Sequence, residues 1–154
     1  MDRAAQAVLA AEMRECWEDI AAICDRIDRR RDSFADSEEH VESLAYQLHN
    51  LYGACERLFE TVAHHFENHV TGARYHTDLL RRMKVDVEGI RPSLVSAEAF
   101  AILDELRRFR HLFRHAYGTG LDAAKVGDLA EKALALRPRL ESDSASFLDR
   151  LNPG

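Results

Sequence analysis

Apolar residues recur at helical spacing through most of the chain, and the breaks between those runs define its elements. Over residues 3–31, Leu9, Met13, Trp17, Ile20, Ile23, Cys24 and Ile27 alternate with polar positions. Trp17, Ile20, Cys24 and Ile27 fall on one stripe of a first helix. Arg29, Arg30 and Arg31 close it, where cations suit the negative end of a helix. They read as a solvated cap rather than a phosphate contact. After a break at residues 32–36, either Asp36 or Ser37 caps a second long helix that runs to about Val70. Val41, Leu44, Leu48, Leu51, Cys55, Leu58, Phe59, Val62 and Phe66 form its seam. Gly72 breaks the pattern, and residues 75–83 read as a short third helix.

Gly89 and Arg91-Pro92-Ser93 read as a linker, because proline and the residue before it disfavour a helix. A fourth helix is expected over residues 96–116, with Phe100, Leu103, Leu106, Phe109, Phe113 and Ala116 spaced for burial. Gly118 and Gly120 end it. Asp122 is the expected cap of a fifth helix over residues 123–136, which Pro138 interrupts before a further helical run at 140–151. The expected fold is an all-α, up-and-down bundle of about five helices, with residues 1–154 as one domain.

Composition supports this picture and narrows the function. Proline and glycine are scarce, with 3 and 7 residues, which suits helices. The formal net charge is −6, so any contact with nucleic acid must be a local patch and not a global field. Cys16, Cys24 and Cys55 are odd in number and lack metal-ligand spacing, and they read as reduced residues of a cytoplasmic protein. Asp2, Arg3, Glu12 and Arg14 break up the first apolar run, so neither a signal peptide nor a membrane span is expected.

One stretch is basic against this acidic background: Arg107-Arg108-Phe109-Arg110-His111-Leu112-Phe113-Arg114-His115-Ala116-Tyr117-Gly118. It offers the groups that cleave RNA without a metal. Histidine can take or give a proton near neutral pH. Arginine keeps its charge and grips phosphate oxygens with paired bonds. Arg110 and His115 lie about 140° apart on one helix, which points to a composite cleft with a second copy of the chain. Without further support, the bland alternative is a helix end decorated with cations.

Arg110-x4-His115-x-Tyr117 resembles the R-x4-H-x-Y signature of the HEPN superfamily, most closely that of the HepT-like toxins. The polar residue that follows the arginine in that pattern is matched by His111. Residues 48–59, with Asn50, Tyr52 and Glu56, resemble the second helix of that family, and His76-Thr77-Asp78-Leu79-Leu80 with Met83 resembles its third. The resemblance implies a metal-independent endoribonuclease, without a cofactor, of a bacterial type VII toxin–antitoxin pair. It implies Arg110 and His115 as catalytic residues, with His111 and Arg114 positioning the RNA. It also implies a homodimer and a minimal nucleotidyltransferase antitoxin that can attach AMP to Tyr117. Tyr46, His49, Asn50 and Glu56 could line the cleft, and Arg81, Arg82 and Lys84 form a second basic cluster that could meet RNA.

Two other readings belong to different classes. One is a catalytically inactive HEPN adaptor that only binds the nucleotidyltransferase. The other is a metal-binding bundle, since Glu60/His64, His65/His69 and His111/His115 are i, i+4 pairs. Against the metal, no second helix supplies a clear Glu-x-x-His set, and His64 and His65 point about 100° apart.

Overall fold

The structure is a computed structural model of the 154-residue chain, and it describes residues 1–67, 72–115 and 120–151. Five α-helices and one 3-10 turn account for its regular structure among those residues: α1 (Arg3–Arg30), the turn Phe34–Asp36, α2 (Glu38–Phe66), α3 (Tyr75–Met83), α4 (Ala97–His115) and α5 (Ala123–Leu151). Polar ties between helices give their directions. Arg30 with Ser43, Cys16 with Thr61 and Glu12 with His65 run α1 against α2 in opposite senses. Glu105 with Lys132 and Ser96 with Asp143 do the same for α4 and α5, and Asp25 with Arg137 and Gln6 with Leu151 for α1 and α5. The four long helices therefore alternate in direction, and α3 fills the crossing from α2 to α4. The all-α bundle of five helices is as expected.

The core is the sum of the predicted seams. Leu44, Leu48, Leu51, Cys55, Leu58, Phe59 and Val62 of α2 are all buried, and α2 packs against α1, α3, α4 and α5. On α1 the stripe holds at Ile20, Cys24 and Ile27, whereas Trp17 is half-buried and lines an apolar groove between α1 and α5. On α4 it is Ala99, Leu103 and Leu106 that are buried, with Phe100, Phe109 and Phe113 packed at the edge. The caps are the expected ones. Ser37 accepts from the backbone of His40 at 3.1 Å, and Asp122 accepts from Ala124 at 3.0 Å. Ser96 caps α4 through Ala99 and is itself tied to Asp143 at 2.7 Å.

Two boundaries differ from the sequence expectation. α2 leaves helical geometry at Glu67, which is extended, earlier than Val70. The positions 68–71, including His69, lie outside the described residues, as do Ala116 and Gly118. The fifth helix does not stop before Pro138 but continues through it to Leu151. The proline removes one backbone donor, which costs about 3 kcal/mol in a helix interior. Buried Leu136, Leu140 and Phe147 on either side hold the helix to the core and outweigh that cost.

The segment from α3 to α4 is no loose linker. Gly89, at φ +76°, turns the chain so that Val87 and Arg91 exchange backbone hydrogen bonds at 2.8 and 3.0 Å. Arg91 is buried, ion-paired to Glu67, and donates to the carbonyls of Val85, Pro92 and Arg82 at 3.1 Å each. One guanidinium thus anchors the end of α2, the end of α3 and the entry to α4.

Candidate active site

α4 carries its polar stretch past α2, and the contact there is set by a glycine. Gly53 has no side chain, and a Cβ at that position would lie 4.0 Å from Nε of Arg110. The Arg110 guanidinium therefore lies against the bare backbone of α2. Its Nε is buried and has no hydrogen-bond partner among the described residues. A buried charged donor left unmatched is costly, and an acceptor brought in from outside would offset that cost.

That acceptor has a place. A groove of about 460 Å³ is lined by Arg107, Arg110, His111, Arg114 and His115 of α4, Tyr52 of α2, and Arg74, His76 and Thr77 at the start of α3. Among the described residues, four arginines and three histidines line it, and no Asp or Glu does, in a chain of net charge −6. Such a concentration of one sign in a concave surface attracts polyanions. A larger cavity, about 540 Å³, lies between α1 and α2 and is lined by Glu12, Glu15, Glu60 and Glu67. It carries the wrong sign for nucleic acid, so the smaller basic groove is the better candidate.

All four motif residues predicted on α4 line this groove. Arg110 and His115 both line this one groove, with Arg110 placed against α2 at Gly53 and His115 at the end of α4. His111 and His115, one turn apart, stand side by side with ring centroids 4.5 Å apart. Tyr117 lies outside the described residues.

The groove also contains groups that the sequence did not assign to the site. The Tyr52 hydroxyl is buried with no hydrogen-bond partner among the described residues, and burial, with Glu56 nearby, pushes its pKa far up. It stays a donor at any working pH. His76 hydrogen-bonds through Nδ1 to Oε2 of Glu56 at 2.7 Å, and the Glu56 side chain is 7 % exposed. Twenty residues separate this pair in sequence, on different helices, so no local pattern announces it.

Other expectations move to the periphery. Tyr46, His49, Asn50 and Glu56 do not line the groove, although Glu56 meets it through His76; His49 instead packs on Phe113 and Tyr46 and meets Asn50 at 3.2 Å. Burial lowers the His49 pKa, with Arg110 and Arg114 pushing the same way and the Asn50 contact opposing. The second basic cluster is largely engaged elsewhere. Arg82 pairs with Glu67 at 3.2 Å, Lys84 sits 4.2 Å over the Phe100 ring, and only Arg81 is left as an exposed cation without such a role. Arg31 and Arg30 are tied to Glu131 and Ser43. Among the described residues, no three His, Cys, Asp or Glu side chains gather as a metal ion requires. His65 pairs with Glu12 at 2.6 Å, and His64 stands edge-on to it.

Among the described residues, no helix is long and apolar enough to cross a membrane. Comparisons with curated proteins and with solved structures returned no match. The profile of a family described as HepT-like protein matches residues 43–151, well over half of the chain. That span runs from within α2 to the end of α5 and takes in every described residue that lines the basic groove. The helical bundle agrees with this match, and the chain belongs to the HepT-like family.

Proposed function

We propose that this chain is a metal-independent endoribonuclease, the toxin of a type VII toxin–antitoxin pair that acts in the cytoplasm. The observation that carries the reading is the basic groove that Arg110 and His115 share, with a buried Arg110 Nε that has no partner among the described residues. A phosphodiester supplies what that donor lacks. In this reading Arg110 holds the scissile phosphate and stabilises the charge that builds on it during in-line attack. His115 moves a proton. His111 and Arg114 position the strand. No cofactor is involved.

Control belongs to the same reading. A minimal nucleotidyltransferase antitoxin would place AMP on Tyr117, close in sequence to Arg114 and His115. The added phosphodiester is an anion, and it competes with RNA for the groove's arginines. The chain is also proposed to form a two-fold homodimer through α4, where Leu112 is 60 % exposed between His111 and the groove's far end. Leu112→Asp should then convert a dimer to a monomer in light scattering.

Induced expression tests the reading as a whole. The parent chain should arrest growth, and Arg110→Ala and His115→Ala should each restore it while the purified variants keep their helical circular dichroism. Co-expression with the cognate nucleotidyltransferase should restore growth and add one AMP mass per modified chain, a shift that Tyr117→Phe abolishes. Growth arrest by a folded His115→Ala chain would remove the catalytic assignment, and a neutralised complex without added mass would make inhibition steric.

A further inference from the structure

His76 and Glu56 have no place in the scheme above, yet their geometry is that of a working pair. Glu56 is buried on α2, and its Oε2 meets Nδ1 of His76 at 2.7 Å. His76 itself is 48 % exposed and lines the groove from the α3 side, opposite in origin to Arg110 and His115 of α4. With Nδ1 held by a carboxylate, the ring carries its proton there and leaves Nε2 free as an acceptor. The carboxylate also balances the charge the ring acquires when Nε2 takes a proton, the same logic by which a buried acid serves a catalytic histidine elsewhere.

Resting on the nuclease reading of this groove, we propose that His76 is a second catalytic residue, the base of RNA cleavage, with Glu56 as its positioning residue. His76 Nε2 takes the proton of the ribose 2′-hydroxyl as that oxygen bonds to phosphorus. The bond from phosphorus to the 5′-oxygen breaks, and the leaving oxygen takes a proton from protonated His115. The products are a 2′,3′-cyclic phosphate and a 5′-hydroxyl, and proton exchange with water resets both rings. Arg110 donates to the non-bridging oxygens. This gives the two proton-transfer groups to two different helices of one chain.

The test uses the full chain and a single-stranded RNA oligonucleotide with one scissile linkage, made with an ordinary 5′-oxygen or with a bridging 5′-sulfur. A thiolate leaves without being protonated, so loss of the acid is relieved by sulfur and loss of the base is not. His76→Ala should slow both substrates roughly 10²- to 10⁴-fold. His115→Ala should slow only the oxygen substrate. His76→Gln keeps a donor for Glu56 but offers no proton-accepting nitrogen, so it should behave like His76→Ala even where the alanine variant folds poorly. Glu56→Gln should lower kcat and leave KM unchanged. Binding of an RNA blocked by a 2′-deoxy sugar at the cleavage site should stay within about twofold in all His76 variants. Parent-like rates in folded His76→Gln, or recovery of His76 variants on the sulfur substrate, would overturn the assignment while the nuclease reading stands. A parent chain that cuts neither RNA would remove both.

Discussion

His49 stands beside the groove without lining it, and burial, aided by Arg110 and Arg114, lowers its pKa. A histidine that resists protonation only when folded binds fewer protons than its unfolded counterpart. Its stabilising effect is therefore whole above the unfolded value, about 6.5, and is lost as pH falls from there toward the folded value. Urea midpoints should fall between pH 7.5 and 5.5, and His49→Gln should flatten that slope. An unchanged slope would place the acid sensitivity in other groups. The cysteines give a second prediction at this scale. Burial raises the pKa of all three thiols, that of Cys24 to about 11, but Cys24 and Cys55 are buried whereas Cys16 is half-buried. A thiol reagent should therefore label Cys16 first in the native chain, and all three only after unfolding. Fast native labelling of Cys55 would contradict the packing of α2 described above.

Elements in this chain meet through small residues and single anchors. Gly127 of α5 lies under the Phe34 ring, and a Cβ there would come within 2.5 Å of it. Alanine for glycine inside a helix normally stabilises by roughly 1 kcal/mol. Here Gly127→Ala should lose that gain by displacing Phe34, and should recover it in a Phe34→Ala background. A double-mutant cycle in denaturant would show the coupling, and additive effects would show that the ring moves aside freely. Arg91 anchors three elements, so Arg91→Met should cost about 3–5 kcal/mol by taking a donor from three carbonyls and leaving Glu67 with Arg82 alone. Neither contact was legible in the sequence. Arg91 reads as part of a polar linker because its neighbours are glycine, proline and serine, and its burial depends on Glu67 from another helix. Pro138 misleads in the opposite way. Local chemistry says stop, and buried neighbours on both sides say continue. The caps at Ser37 and Asp122 were legible because a cap is made within three residues of itself.

At the scale of the molecule, the bundle follows from the seams, since each apolar stripe found its partner in the core. The site divides along the same line. Arg110, His111, Arg114 and His115 share one helix, so a motif could name them. Tyr52 and His76 reach the groove from α2 and α3, and only the fold joins them to it. The charge pattern has the same character: a chain of net charge −6 concentrates its cations where α3 and α4 converge. Cleavage of RNA by the purified chain in excess chelator, with the termini of the products identified, tests the central claim most directly. The account predicts full activity without metal, 2′,3′-cyclic phosphate and 5′-hydroxyl ends, and a loss of roughly 10²- to 10⁴-fold in folded Arg110→Ala and His115→Ala. Activity that vanishes with chelator and returns with a divalent ion, or that survives both substitutions, would contradict it.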